Sequence, residues 1–133
     1  MQDERKEELC RYRMNNAEET LEVAEMLCTG AHYKDSVNRS YYAAFYAVKA
    51  VLALEGKDFK RHKDVIGYFN QNYVAIEKIS KECGRKIAKL QQKREKSDYD
   101  DFYVASRDEA EEQLASAKII IANIKMYLAE VIK

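Results

Sequence analysis

A chain with no proline is free to be helical from end to end, and this one has none in its 133 residues and glycine at only four positions. Proline removes a helix donor and an interior glycine costs about 1 kcal/mol relative to alanine, so their scarcity leaves few places where a helix must stop. Between those places apolar residues recur at three- and four-residue steps. Cys10, Met14, Ala17, Leu21, Ala24 and Cys28 form one stripe, which predicts a helix from near Asp3 to about Thr29 with Gly30 as its stop. The run NNAEE at 15–19 could cap a second start inside it, but the stripe continues across the run and favours one long helix. A second helix is expected from Tyr33 to about Leu54, closed by Gly56. HKDVIGYFNQNY then gives a short helix with Val65, Ile66 and Phe69 inward, and Tyr73 to Ile76 as the connection. Ile79, Cys83, Ile87 and Leu90 carry a further helix on to Arg94, where SDYDD breaks the period. Ser106 with Glu109 makes a capping box for the last, in which Ala110, Leu114, Ala117, Ile121, Ile124, Leu128 and Val131 face one way. The predicted fold is all-α, an antiparallel up-and-down bundle of four main helices plus a short fifth, in a single domain covering residues 1–133.

Composition narrows the function. Twenty-three basic and 23 acidic residues cancel, so no global field draws the chain to nucleic acid, and only local clusters such as KRHK at 60–63 or QQKREK at 91–96 could do so. Cys10, Cys28 and Cys83 are odd in number, widely spaced and on apolar stripes, which suggests buried free thiols and neither a disulfide framework nor a zinc site. The charged start MQDERKEEL does not resemble a signal peptide, and KIIIANI is too short to cross a bilayer. A cytoplasmic protein without membrane contact is expected.

The second helix carries two stripes. Val37, Tyr41, Ala44, Val48, Val51 and Leu52 share one face, whereas Arg39, Tyr42, Tyr46 and Lys49 share the opposite one. One apolar stripe is enough to dock a helix. An aromatic and cationic second one suits a subunit interface or a cleft, because tyrosine buries ring area while its hydroxyl still bonds water or ligand. Ala43 and Ala50 beside it would let another helix approach closely, and a homodimer seam is the favoured reading.

Three features of this region resemble the HEPN superfamily (higher eukaryote and prokaryote nucleotide-binding domains), in particular its small single-domain bacterial and archaeal branch. They are the Arg-x-Tyr-Tyr-x-x-Phe run from Arg39 to Phe45, the Lys-x-His of Lys60 and His62 before a short helix, and Arg94, Asp98 and Tyr99 in an Arg-x-x-x-Asp-Tyr pattern. The resemblance implies a helical bundle that dimerises, and a partner nucleotidyltransferase in a toxin–antitoxin-type pair. It also implies, for catalytic members, cofactor-free and metal-independent RNA cleavage by an Arg-x(4–6)-His motif. There the arginine offsets charge on the scissile phosphate and the histidine moves a proton.

This sequence departs at the histidine: after six intervening residues Arg39 is followed by Tyr46, a phenol of ordinary pKa about 10. Chemistry would need that tyrosine or a histidine from elsewhere, and His62 is the candidate. The favoured function is therefore a homodimeric interaction module, with a metal-independent ribonuclease or a non-catalytic nucleotide-binding module as alternatives. Arg39, Tyr46 and His62 are the candidate catalytic residues; Tyr42, Lys49, Arg94, Asp98 and Tyr99 are candidates for binding RNA or nucleotide. Each also has a structural expectation. Arg39 would pair with a carboxylate of SDYDD, sharing a network with Arg94 and Asp98. His62 would bond backbone or an aromatic at a helix start, and Tyr99, Phe102 and Tyr103 would pin the turn to the bundle. Asp98, Asp100 and Asp101 lack His or Glu at ligand spacing, so no metal is expected. Ser40 lacks triad partners, and no glycine-rich loop offers a phosphate cradle.

Overall fold

The computed structural model describes residues 3–132. They form five helices, α1 (Glu4–Thr29), α2 (Tyr33–Ala53), α3 (His62–Phe69), α4 (Lys81–Tyr99) and α5 (Arg107–Val131), with a π-helical turn at Asn70–Val74 continuing α3. No strand occurs among the described residues, and none of their helices is long and apolar enough to cross a membrane.

Helix α1 passes through Asn15 and Asn16 unbroken, and Asp3 caps it by accepting the Arg5 amide at 2.9 Å. At its other end Gly30 keeps an ordinary φ of −82° and Ala31 takes the left-handed conformation, at φ 64°. The His32 amide then closes the turn on the Leu27 carbonyl at 2.8 Å. Ser106 caps α5 by accepting the Glu109 amide at 3.0 Å. Only half of the expected capping box forms, because the Glu109 carboxylate turns to Lys93 at 2.6 Å.

Cross-helix pairs give the directions. Ser36 Oγ donates to the Ala24 carbonyl and Arg13 to the Lys49 carbonyl, so α1 and α2 are antiparallel. Lys118–Glu25 and Lys125–Glu18 run α5 against α1, and Lys89–Glu112 and Lys93–Glu109 run α4 against α5. Helices α2 and α5 pack together across the middle of the up-and-down bundle, with α1 and α4 on opposite flanks. As the central helix, α2 is buried at thirteen of its 21 positions, and Ala43 and Ala50 are among them. Those small residues therefore serve close packing inside the bundle, not the approach of an outside helix. Each large side chain sealed here, such as Leu52, Ile87 or Ile120, contributes about 1.5–3 kcal/mol of burial free energy.

Two other expectations change. All three cysteines are free, but Cys28 is only half-buried, whereas Cys10 and Cys83 are sealed in the core. Burial pushes the Cys10 thiol up to about 11. Helix α4 runs on through Ser97 and Asp98 to Tyr99, and the turn beyond it is not pinned as expected. Tyr99 is 83% exposed and Phe102 93%. Only Tyr103 packs inward, against the small cluster of Val37, Ala105 and Ala110 at the end of the bundle.

Candidate functional site

Between Ser36 and Ala53, α2 leaves only Asn38, Arg39, Tyr42, Tyr46 and Lys49 short of full burial. The second stripe of the sequence is thus the one strip of α2 that solvent reaches. Two other elements close over it. The connection from Leu54 to Arg61, turned at Gly56 (φ 69°), brings His62 back as the first residue of α3, and α4 supplies Arg94.

His62 lies in an aromatic box. Its ring stacks on Phe45 with centroids 4.1 Å apart, lies nearly parallel to Tyr41, and meets Tyr42 edge-on at 5.8 Å. Its Nδ1 shares a hydrogen bond of 2.9 Å with the Tyr41 hydroxyl. The Arg94 guanidinium sits 4.9 Å from the Tyr41 ring centre and 5.9 Å from that of Tyr42, with Asp98 holding it at 3.1 Å. Arg39 lies 4.8 Å over the Tyr42 ring. Tyr42 is therefore the hub, contacted by both guanidinium groups and by the imidazole.

The arrangement fixes protonation. Burial, then the charges of Arg94 and Lys49, push His62 below its usual value, so the imidazole is neutral at neutral pH and open to a proton. Burial pushes the Tyr41 hydroxyl well above the usual phenol range, more than Arg94 pulls it down. Tyr41 keeps its proton and acts by orienting the ring.

Arg39 does not pair with the SDYDD turn. Its Nε and Nη2 both donate to Asn38 Oδ1, at 3.1 and 2.8 Å, because its immediate neighbour reaches the guanidinium first. The expected Arg94–Asp98 pair forms without it. Among the sequence candidates, Arg39, Tyr42, His62, Arg94 and Asp98 come together, and Tyr46 adjoins them through ring contacts with Tyr42 and Phe45. Lys49 lies farther along α2, paired with Asp58 at 3.5 Å, and Tyr99 points to solvent outside the cluster. Tyr41 was read as core and is core, and Phe45, which the apolar stripe did not include, is core as well; both also hold His62, and the Arg-x-Tyr-Tyr-x-x-Phe run that contains them was the available signal. Among the described residues no group of His, Cys, Asp and Glu could hold a metal ion.

The sequence profile described as HEPN domain matches residues 10–127, a span that includes every residue of this cluster. A UPF0332 protein of Thermotoga maritima is 30% identical over 113 residues, 85% of this chain and 86% of that protein. Two proteins of Methanocaldococcus jannaschii, each named "Putative toxin", are 34% identical over 116 residues and 30% over 115. These matches cover 87% and 86% of this chain, and 86% and 78% of the respective relatives. With its helical bundle and its cluster inside the matched span, the chain belongs to the HEPN domain family.

Proposed function

We propose that this chain is the RNA-directed effector of a toxin–antitoxin-type pair, cleaving RNA without a metal in the cleft along α2. One observation carries the reading: His62, kept neutral by its surroundings, shares the Tyr42 ring with Arg39 and Arg94. A phosphodiester bound by the two guanidinium groups would have its developing charge offset there. With Nδ1–H donating to the Tyr41 oxygen, His62 would accept at Nε2 the proton of the ribose 2′-hydroxyl as that oxygen attacks phosphorus. The phosphorus bond to the 5′-oxygen then breaks, and the leaving oxygen takes the proton from the imidazolium just formed, leaving a 2′,3′-cyclic phosphate and a 5′-hydroxyl. The histidine missing at position 46 is thus supplied from α3, and Tyr46 serves as part of the wall.

The same half-exposed strip supports a homodimer, since two copies meeting along it would bring their arginines and imidazoles to one cleft. The toxin naming of the two Methanocaldococcus relatives agrees with the effector role. The partner proposed from the family resemblance is a nucleotidyltransferase. The test is cleavage of single-stranded RNA by purified protein in a chelator. Wild type and Tyr46→Phe should cut, while Arg39→Ala and His62→Ala should not, each keeping its fold by circular dichroism. An intact wild type that leaves RNA whole would instead favour the interaction-module reading.

A further inference from the structure

A second cationic site lies outside the cleft, where the first turn of α1 meets the end of α2. It is a pocket of about 210 Å³ with a mainly apolar lining that includes Leu9 and Ala53, ringed by Arg5, Lys6, Arg13, Lys57 and Asp58. Four cations thus face one carboxylate, and that carboxylate is already engaged, with Lys49 and Arg13 each at 3.5 Å. Burial opposes its ionisation, but the Phe59 amide bond and these two cations outweigh that and hold Asp58 below the usual carboxylate range. Arg5, Lys6 and Lys57 have no carboxylate within 4 Å among the described residues. The stem of Lys6 crosses Gly56, where a Cβ would come within 3.1 Å of Lys6 Cε, so this glycine lets the ammonium lie over the turn.

Excess positive charge here is unusual for a chain with none overall. Residues 39–63 hold six of the Lys and Arg residues and only two acidic ones, whereas along residues 3–13 of α1 and its cap four acidic residues balance four basic ones, so the surplus comes from α2, the connection and the start of α3. Asp58 links the pocket to the strip on α2 through Lys49, so cations and rings follow one another from Arg39 through Tyr42, Tyr46 and Lys49 to Lys57. From Arg39 to Ala53 the helix rises about 21 Å, a reach of several nucleotides for a single strand.

We propose that this pocket is a phosphate subsite for the RNA strand, one that holds the backbone beyond the cleft and gives preference for long single-stranded substrates over short ones. The proposal rests on the RNA-directed reading above. Aromatic rings at one end and cations at the other are what a single strand requires, bases stacking on the first and phosphates neutralised by the second.

The experiment is fluorescence anisotropy with labelled 2′-O-methyl RNAs, which cannot be cut, of roughly four and twelve nucleotides within the span of known single-strand sites. The protein is tested as wild type, as the triple variant Arg5→Gln, Lys6→Gln, Lys57→Gln, and as Asp58→Asn. Arg13 is left in place because it also donates to the Lys49 carbonyl. The triple variant should bind the longer RNA at least tenfold more weakly and reduce its log–log salt slope by about two, while binding the shorter one within twofold. Asp58→Asn should tighten the longer RNA. Equal loss for both lengths, or unchanged binding of the longer RNA by the triple variant while wild type binds it, overturns the subsite and leaves the cleft reading intact. Binding of neither RNA by wild type overturns both. Adenosine triphosphate is titrated in parallel: if the triple variant weakens the nucleotide but not the longer RNA, the pocket holds a free nucleotide and the strand assignment falls.

Discussion

Tyr41 and His62 are separated by 21 positions in the chain, yet the hydroxyl of one meets Nδ1 of the other at 2.9 Å with their rings nearly parallel, 21° apart. A helix interior and a helix start are locked together by that bond, which fixes which imidazole nitrogen is left for other work. His62→Gln should therefore lower RNA cleavage by about two to four orders of magnitude, as loss of a general base does. Tyr41→Phe should cost about tenfold, by loosening the ring without removing it. Single-turnover cleavage of a labelled RNA measures both.

The protonation of His62 adds a pH signature. Its folded pKa lies below the usual value, so below about pH 6.5 the unfolded chain binds more protons than the folded one. Stability should fall as pH drops from there toward the lower folded value, and level off beneath it. Urea unfolding of wild type against His62→Gln checks this, since the variant should lack that part of the slope. An imidazole NMR titration should place the midpoint of His62 below the ordinary value of about 6.5.

Arg94 is bound on two sides, by ring faces and by Asp98, and its charge is one reason His62 resists protonation. Arg94→Met, which keeps the stem and removes the charge, should raise the His62 midpoint and reduce cleavage. Arg94→Lys should leave the midpoint low. A lysine cannot stack as a plane across Tyr41 and Tyr42, so that variant should still lose about 1 kcal/mol of stability. Opposite responses of midpoint and stability in the two variants separate charge from packing. Parallel responses would exclude the electrostatic account.

What the sequence revealed of this site follows from which contacts are local. The strip of Arg39, Tyr42, Tyr46 and Lys49 was legible because helical spacing alone puts those residues on one face, and α2 formed almost as the pattern required. The Arg94–Asp98 pair was legible for the same reason, four residues apart on one helix. His62 at a helix start, bonded to an aromatic, was expected and found, but which rings seat it was not legible. That seat depends on an irregular connection whose path is set by a glycine at φ 69° and by where α3 docks, neither of which has a period. Arg39 went astray because a distant carboxylate was expected where adjacent Asn38 was available. Tyr99 and Phe102 went astray because ring size argued for burial, whereas their turn projects past the end of the bundle.

A carboxylate gripped by two phenols holds the far end of the site. Glu55, just after α2, accepts from the Tyr68 hydroxyl at 2.5 Å and from the Tyr73 hydroxyl, tying the connection to α3 and the π-helical turn. Burial favours protonation of Glu55, but the two hydroxyls, helped by Lys78 and Lys57, outweigh it and hold its pKa below the usual value. The stabilisation is complete above pH 4.5 and lost as pH falls through the lower folded value. Acid unfolding of Glu55→Gln should accordingly show a smaller drop across that window than wild type. Tyr73→Phe should cost about 1.5–3 kcal/mol, the range for a hydrogen bond to a charged group, and the more exposed Tyr68→Phe less. Chemical denaturation near neutral pH compares them.

Gly84 sets how closely α4 approaches the π-helical turn. A Cβ there would stand 2.9 Å from Val74 Cγ1, closer than packed atoms come, and at a tight 3.2 Å from Asn70 Oδ1. Helix propensity alone predicts that Gly84→Ala stabilises α4 by about 1 kcal/mol. The crowding opposes it, since forcing a methyl into a filled contact costs about 1–3 kcal/mol, and the branched Val74 has little rotamer freedom with which to yield. Gly84→Ala should therefore destabilise. Val74→Ala should create a small void, and the double variant should be more stable than the sum of the two single changes predicts, because the new methyl fills that space. A double-mutant cycle by thermal unfolding decides between the two effects: strict additivity would mean that the helices simply move apart, and a stabilised Gly84→Ala would mean that propensity outweighs the contact.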